Sequence, residues 1–523
     1  MLSRITKHNT PGITVNRSFL LAAGVSSLLL IAASPPSWAG VIAFTCLIPL
    51  FYIIDKKNVS YKKIFLMGYV TGVIWACGTL YWISLPTLTG FIGSVIYLPL
   101  YPGIFCVIMK WVKEKTGIYG LALAPFVWTT LEIVQARGVF GFTWQSIAYT
   151  QTYANNFIQF ASVTGMYGVT FWVVSLNVLL YLLFTERKRF VAGAVLAVFI
   201  LLPFIYSSIV MKRGQPVSES SWVTVSVVQG NVDPYKKWKK SFIDSNYVIY
   251  RDLTMDLGNT ESELVVWPET AVPYYLRYRY NRYRQVRDIT DSLGVNLLTG
   301  APGYFWDKKG KGHPLNKAFF IRPFTKPMDS YAKIHLVPFS EFVPFREQLP
   351  FLEPFLRNLN LDVGDFTAGD SIVVFSFTSR DSSKDVQFSS VICFDSIFPE
   401  LVRQFFRKGA QFLVIITNDG WFGKTSGPYQ HQRIAVLRAI ENRSWVVRCA
   451  NTGVSCFIDP YGRVVQKTGL MEQAVLTQNV ALSETKSIFT KHGLIFPYFI
   501  VIISFLALAS IAVIGSRGEK RTK

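Results

Sequence analysis

Charge is the scarcest resource of this 523-residue chain: Asp, Glu, Lys and Arg make up only 16% of it, where a soluble protein carries about 25%. The shortage falls on one sign, with 32 acidic residues against 53 Lys and Arg and a formal charge of +21. Half of the residues are hydrophobic. An ordinary soluble protein is excluded; what remains is a membrane protein with a soluble portion. Its basic excess suits either nucleic acid or an anionic membrane surface. Cysteine is scarce too. Cys46, Cys77, Cys106, Cys393, Cys449 and Cys456 form no CxxC pair and no Cys/His spacing suited to zinc. The histidines, His8, His313, His335, His431 and His492, are scattered. Neither a metal site nor a cofactor is expected. Cys46, Cys77 and Cys106 lie in apolar stretches and read as packing residues. Internal repeats and low-complexity segments are lacking as well.

Long apolar runs are missing between 214 and 487 but frequent outside that region. Runs of spanning length fall near 19–34, 39–54, 64–84, 90–109, 117–135, 163–184 and 190–210, with another at 493–515. The expected organisation is a membrane domain at 1–213 with seven transmembrane helices, a soluble domain at 214–487, and a C-terminal transmembrane helix with a basic tail at 488–523. A second apolar run follows the first at once, so the first reads as an uncleaved anchor. Basic residues in short loops set the orientation. One side collects Arg4, Lys7 and Arg17, then Lys56, Lys57, Lys62 and Lys63, then Lys110, Lys113 and Lys115. The same side holds Arg187, Lys188 and Arg189, and the tail residues Arg517, Lys520, Arg521 and Lys523. The loops near 35–38 and 85–89 have no basic residue, and the 136–162 loop has only Arg137. Eight spans, both termini in the cytoplasm and a soluble domain outside it fit that alternation. Lys212, Arg213 and Lys491 depart from it, but they flank a long translocated domain, where the rule is weak. The basic loops then face anionic lipid, and the charge requires no nucleic acid.

The soluble region alternates strand and helix signals. "WVTVSVVQG" (222–230), "ELVVWPET" (263–270), "VNLLTGAP" (295–302), "FSSVIC" (388–393) and "QFLVIITNDG" (411–420) read as strands. Helix-like stretches lie at 240–258, 276–293, 397–408 and 428–443. Such alternation implies an α/β sandwich, in which reactive groups collect at strand ends. Glu269, Cys393 and Asn418-Asp419 all sit there. Most buried cysteines are inert packing, so Cys393 alone proves nothing. Beside Glu269 and Lys333, however, it completes a set for acyl transfer. A thiol needs a base to become a nucleophile, a shielded glutamate is such a base, and an ammonium stabilises the oxyanion that forms. Taken singly, Glu269 reads as a turn residue and Lys333 as surface charge. Glu341, eight residues after Lys333, either orients that lysine or forms an ordinary ion pair.

"WPET", "KIHLVPFSEFVPF", "CFDSIFPE" and "TNDGWFG" resemble, in order and spacing, the blocks that carry the Glu-Lys-Cys triad of the nitrilase, or carbon–nitrogen hydrolase, superfamily. With seven spans before this domain and one after it, the chain resembles the apolipoprotein N-acyltransferase family of bacterial envelopes. "GFTWQSIAYTQ" (141–151), "QGNVDPYKKW" (229–238) and the block from Asn418 to Ser455 look like further parts of that family. The resemblance implies an eight-helix membrane bundle joined to a nitrilase-like αββα sandwich on the periplasmic face of the bacterial inner membrane. It implies Glu269 as general base, Lys333 as stabiliser of the tetrahedral intermediate and Cys393 as acyl-carrying nucleophile. Glu341, Trp238 and Trp421 match positions beside the triad. Where the family often has Tyr-Glu after the cysteine, this chain has Phe394-Asp395; the backbone N–H of Phe394 survives that change, and a tyrosine hydroxyl does not. The implied partners are a phospholipid acyl donor, phosphatidylethanolamine, and diacylglyceryl apolipoproteins as acceptors, served by a monomer. A membrane-tethered amidase would use the same three residues. A transporter with an inert nitrilase-like domain would be expected to have lost one.

Three features stay open at this level. Glu132 and Arg137 either meet a headgroup or pair to fix a helix end. The interleaved Tyr274, Tyr275, Tyr278, Tyr280 and Tyr283 with Arg277, Arg279, Arg282 and Arg284 suit a membrane-interface segment, an arm over the site or a plain amphipathic helix. Cys449 and Cys456 either pair as a disulfide or remain free thiols.

Overall fold

The computed structural model describes residues 17–185, 189–214, 222–258, 261–349, 354, 364–380 and 384–521. Arg4, Lys7, His8, Arg187, Lys188 and Lys523 lie outside the described residues. Among the described residues, six helices are long and apolar enough to cross a membrane: Tyr61–Ser84, Leu88–Thr116, Ile118–Gln135, Met166–Thr185, Arg189–Arg213 and Ile495–Ile514. The two most N-terminal runs fold as shorter apolar helices, Arg17–Ala33 and Gly40–Asp55. Pro35 and Pro36 follow the first directly, and proline cannot continue a helix without losing a hydrogen bond. Both short helices still bury Leu30, Ala33, Leu47, Leu50 and Phe51 completely. The helices Tyr61–Leu80 and Leu100–Thr116 approach closely because Gly68 has no side chain; a Cβ there would lie 2.4 Å from the Pro102 carbonyl oxygen.

Glu132 does not pair with Arg137, which is exposed. It is buried and accepts hydrogen bonds from Trp128 Nε1 (3.0 Å), Ser146 Oγ (2.6 Å), Thr170 Oγ1 (2.7 Å) and the Ile147 N–H (3.0 Å). A carboxyl so satisfied ties the helix Ala124–Gln135 to the turn at 146–147 and to the helix Met166–Thr185.

Beyond the membrane helices the chain builds two six-stranded sheets. The first contains β1 (Trp222–Gln229), β2 (Leu264–Val266), β3 (Asn296–Trp306), β4 (Gly312–Ile321), β5 (Met328–Ala332) and β12 (Ala474–Ala481). The second contains β6 (Phe375–Thr378), β7 (Asp385–Ile392), β8 (Phe412–Thr417), β9 (Val446–Ala450), β10 (Cys456–Ile458) and β11 (Val464–Lys467). Their orders are β12-β1-β2-β3-β4-β5 and β11-β10-β9-β8-β7-β6. In each, a parallel core of three strands (β1 to β3, β7 to β9) is flanked by antiparallel ones. The five expected strands correspond to β1, β2, β3, β7 and β8.

Period-two alternation decides which side chains enter the sandwich. Leu264, Val266, Leu298 and Phe320 join the core between the sheets. Val265, Trp267, Leu297 and Phe319, their neighbours in sequence, face the outer helices Ile243–Met255 and Tyr280–Leu293. The Tyr/Arg segment therefore ends in an amphipathic helix that buries Val286 and Ile289. The helices Pro399–Arg407 and Gly427–Asn442 cover the second sheet, completing an αββα sandwich. Cys449 and Cys456 are free thiols, and Cys449 Sγ donates to the Val266 carbonyl at 3.2 Å.

The helix Gly427–Asn442 is also the joint to the membrane helices, so nearly all of it is buried. Gln430 Oε1 accepts from Trp82 Nε1 and Trp144 Nε1, both at 3.0 Å, and Glu441 Oε1 accepts from the Met166 N–H at 2.8 Å. Between the sheets, Phe320 packs edge-on against Phe388 with ring centroids 5.1 Å apart. Phe320→Ala is expected to cost about 3–5 kcal/mol through the cavity it leaves, read as a lowered thermal-unfolding midpoint of the detergent-purified protein.

Candidate active site

Strand ends supply the reactive groups. Cys393 follows the last residue of β7 and adopts φ 47°, a left-handed conformation rare for a side chain with a Cβ. Asp395 holds this turn. Its carboxylate accepts from the Ile392 N–H (3.2 Å), the Tyr331 hydroxyl (2.8 Å) and the His335 N–H (2.7 Å). Glu269 lies just beyond β2, level with Gly300 of the neighbouring strand, where an added Cβ would come within 2.7 Å of the Glu269 Cα. Lys333 follows β5, its N–H donating to the Asn316 carbonyl at 2.9 Å.

The side chains form one electrostatic unit, with Lys333 and Glu269 buried and Glu341 and Cys393 half-buried. Lys333 Nζ donates to the Glu341 carboxylate at 2.8 Å, and Glu341 is fixed by the Val337 N–H at 2.8 Å. Glu269 accepts from Asn316 Nδ2 (2.7 Å) and from the Asn418 N–H (3.0 Å). Burial alone would discharge Lys333, but Glu341 and Glu269 outweigh it and hold the ammonium above the usual lysine range. Burial pushes the Glu269 carboxyl up, opposed by Lys333. The Cys393 thiol is pushed up by burial and by the charge of Glu269, and pulled down by Lys333. Burial thus favours the protonated thiol and makes the Glu269 carboxylate more basic, the pairing that proton transfer needs.

These groups open into a cavity of about 650 Å³, within the range of about 300–1,000 Å³ typical of small-molecule sites. Glu269, Lys333, Cys393, Glu341, Phe394, Trp238 and Trp421 all line it. Asp395 does not; it acts on the Cys393 turn from behind, and burial raises its carboxyl to about 6. The opposite wall comes from the membrane domain, with Trp82, Thr87, Gly90, Tyr97, Leu98 and Phe142. Phe394 packs against Phe142 across this junction at 6.2 Å.

Sequence reasoning missed several participants. Asn316 lies on β4, whose opening Gly-His-Pro reads as a turn. Lys237 is buried, donates to Thr270 Oγ1 and lies 5.5 Å from the Trp238 ring; burial lowers it to about 8. Its neighbours in "YKKWKK" give it the look of surface charge. His431 and Asp419 come within 4.8 Å of Cys393 by their ligand atoms. Their donors are already engaged. His431 Nδ1 meets Asp419 Oδ1 at 3.0 Å, His431 Nε2 meets Ser396 Oγ at 2.9 Å, and Asp419 pairs with Arg448. A cation would have to displace that guanidinium, so the trio suits a hydrogen-bond chain better than a metal.

The Carbon-nitrogen hydrolase family model matches residues 224–488, and the model of the Apolipoprotein N-acyltransferase N-terminal domain matches 26–179. An apolipoprotein N-acyltransferase of Chlorobaculum tepidum is 32% identical over 94% of this chain and 96% of its own. That of Geobacter metallireducens is 33% identical over 92% and 93%. Among solved structures, an amidase of the nitrilase superfamily from Nesterenkonia aligns with 53% of this chain and 96% of its own, at 18% identity and TM-score 0.38.

Because Lys333 is the cation that pulls the Cys393 thiol down, Lys333→Met should move the pH profile of Cys393 alkylation by iodoacetamide to higher pH. An unchanged profile would mean that the ammonium does not act on the sulfur.

Proposed function

The chain belongs to the apolipoprotein N-acyltransferase family, and we propose that it carries an acyl chain from a phospholipid, through a thioester on Cys393, to an apolipoprotein. The acceptor is the α-amino group of the diacylglyceryl-cysteine at the apolipoprotein's N-terminus. One observation carries this reading: Glu269, Lys333 and Cys393 share a single cavity with Trp82, Leu98 and Phe142 of the membrane domain. An acyl chain gains about 0.8 kcal/mol per CH₂ by staying in hydrocarbon. A site walled by membrane helices spares the enzyme its extraction.

In the first half-reaction Glu269 takes the thiol proton as Cys393 Sγ bonds to the ester carbonyl carbon. Lys333 and the Phe394 N–H meet the oxyanion. Collapse breaks the bond to the glycerol oxygen, which leaves with the proton from Glu269 as a lysophospholipid. In the second half-reaction the neutral acceptor amine attacks the thioester. Glu269 accepts the amine proton and passes it to the departing sulfur. Glu341 keeps Lys333 charged and aimed, Asp395 holds the Cys393 turn, and Trp238 and Trp421 bound the cavity. This chemistry calls on no cofactor.

The donor is phosphatidylethanolamine and the working unit a monomer. The domain at 214–487 lies on the periplasmic face of the inner membrane, between the membrane domain at 1–213 and the last helix and tail at 488–523. Both termini are cytoplasmic. The alternation of basic and non-basic loops supports eight crossings, the two short N-terminal helices included.

Incubation with acyl-labelled phosphatidylethanolamine should leave hydroxylamine-labile label on the protein and none on Cys393→Ala. The label should pass to a diacylglyceryl peptide. Label lost to water equally fast with and without that peptide would favour the tethered hydrolase instead. Glu269→Gln should slow acyl-enzyme formation by about 10²–10⁴-fold. The acid limb of activity should lie above the ordinary glutamate range, because Glu269 must be ionised to act and burial raises its carboxyl. Asn316→Leu removes a hydrogen bond that favours the carboxylate, so it should move that limb to still higher pH.

A further inference from the structure

We propose that His431 is a positioning residue for Cys393: held by Asp419 and Arg448, it orients the Ser396 hydroxyl, which fixes the Cys393 carbonyl and with it the direction of the thiol. The chain is continuous. Arg448, fully buried, pairs with Asp419. His431 Nδ1 lies 3.0 Å from Asp419 Oδ1 and 3.2 Å from Arg448 Nη2, and Thr417 Oγ1 donates to Asp419 Oδ1 at 2.9 Å. His431 Nε2 lies 2.9 Å from Ser396 Oγ, and Ser396 Oγ lies 2.7 Å from the Cys393 carbonyl oxygen. None of the side chains of Arg448, Asp419, Thr417, His431 and Ser396 is more than 1% exposed.

The need for such a chain follows from the backbone. Cys393 sits at φ 47°, a conformation that persists only where its surroundings over-determine it. Asp395 holds the Val391–Ile392 peptide ahead of Cys393 through the Ile392 N–H, and Ser396 holds the Cys393–Phe394 peptide after it. A hydroxyl has one proton to give. Ser396 gives that proton to the Cys393 carbonyl when His431 Nε2 carries a hydrogen and donates to Ser396 Oγ, and Arg448 Nη2, 3.2 Å from Nδ1, is the donor that lets Nδ1 accept and Nε2 hold that hydrogen. The far end of the same turn is fixed from the same helix, since Arg438 Nη1 donates to the Ile397 carbonyl at 3.1 Å. Trp144 of the membrane domain covers the imidazole, with ring centroids 4.8 Å apart. The nucleophile is thus referenced to the helix that joins the two halves of the molecule.

This inference rests on Cys393 being the nucleophile, so its test needs a readout that uses no acyl donor. Cys393 alkylation by iodoacetamide and acyl-enzyme formation from phosphatidylethanolamine would be measured side by side for Ser396→Ala, His431→Leu and His431→Gln. A small misalignment of a reacting group costs about ten- to a hundredfold. Ser396→Ala and His431→Leu should slow both reactions by that factor while the donor KM stays within about threefold. Glutamine restores a donor at the Nε2 position, so His431→Gln should recover most of the rate. Wild-type rates in Ser396→Ala would overturn the proposal, as would a His431→Gln protein as slow as His431→Leu. If His431→Leu fails to fold, the other two variants decide. Slowed alkylation in a protein whose wild type forms no acyl-enzyme would uphold the positioning role and sink the acyltransferase reading alone.

Discussion

An ammonium that is 1% exposed cannot stand alone in a protein interior, where an uncompensated charge costs several kcal/mol even after relaxation. Lys333 is such a group, and much of the site can be read as its compensation. Glu341 pairs with it, the Val337 N–H holds Glu341, and Asn316 touches both Glu341 and Glu269. Glu341 and Val337 belong to the loop after β5 and Asn316 to β4, so the ion pair is also a statement about the fold. It exists only if β4, β5 and the segment after Val337 converge. The cluster then sets the acid–base character of its neighbours. Glu269 stays basic enough to accept a proton, and the thiol gives one up only when something makes the transfer worthwhile.

The second constraint is the position of that cluster at a junction. The helix Gly427–Asn442 is buried on both sides, by the second sheet and by the membrane helices. Its polar residues explain why burial is tolerated. Gln430 satisfies two tryptophan N–H groups, Glu441 caps the start of the helix Met166–Thr185, and Arg438 reaches the Ile397 carbonyl. Buried polar groups that are fully satisfied specify one arrangement where an apolar contact would allow many. The two halves are therefore docked in a single register, and the cavity between them has a definite shape.

Sequence reasoning reached the parts of this that depend on local pattern. The αββα sandwich follows from alternating strand and helix signals, and Glu269, Lys333 and Cys393 follow from strand ends and block spacing. At the N-terminus the apolar runs 19–34 and 39–54 form the shorter helices Arg17–Ala33 and Gly40–Asp55, on either side of Pro35-Pro36. Sequence reasoning missed what depends on tertiary approach. Asn316 carries no signal of its own, and its role appears only when β4 is laid beside the Glu269 loop. His431 looks like one of several scattered histidines until Asp419, twelve residues earlier, folds back onto it. Glu132 and Arg137 look like a natural pair, yet a helix end with Ser146 and Thr170 within reach satisfies the carboxyl better. Such residues are fixed by long-range geometry that neither periodicity nor composition encodes.

In the proposed reaction, the fate of the acyl-thioester depends on who reaches it first. Water is abundant outside and a lipoprotein amine is rare, so specificity for the amine has to come from exclusion. In the proposed reaction the aromatic wall would supply that exclusion. Trp82, Trp144 and Phe422 pack against one another at centroid distances of 4.4–6.2 Å, and Phe142 and Phe394 extend the apolar face to the sulfur. An acyl chain already lodged there adds its own hydrocarbon to the barrier. The same surface that admits a lipid therefore protects the intermediate made from it. On that reading Glu269, Lys333 and Cys393 need no change to serve transfer, and the membrane helices that line their cavity are the part that would favour it over hydrolysis.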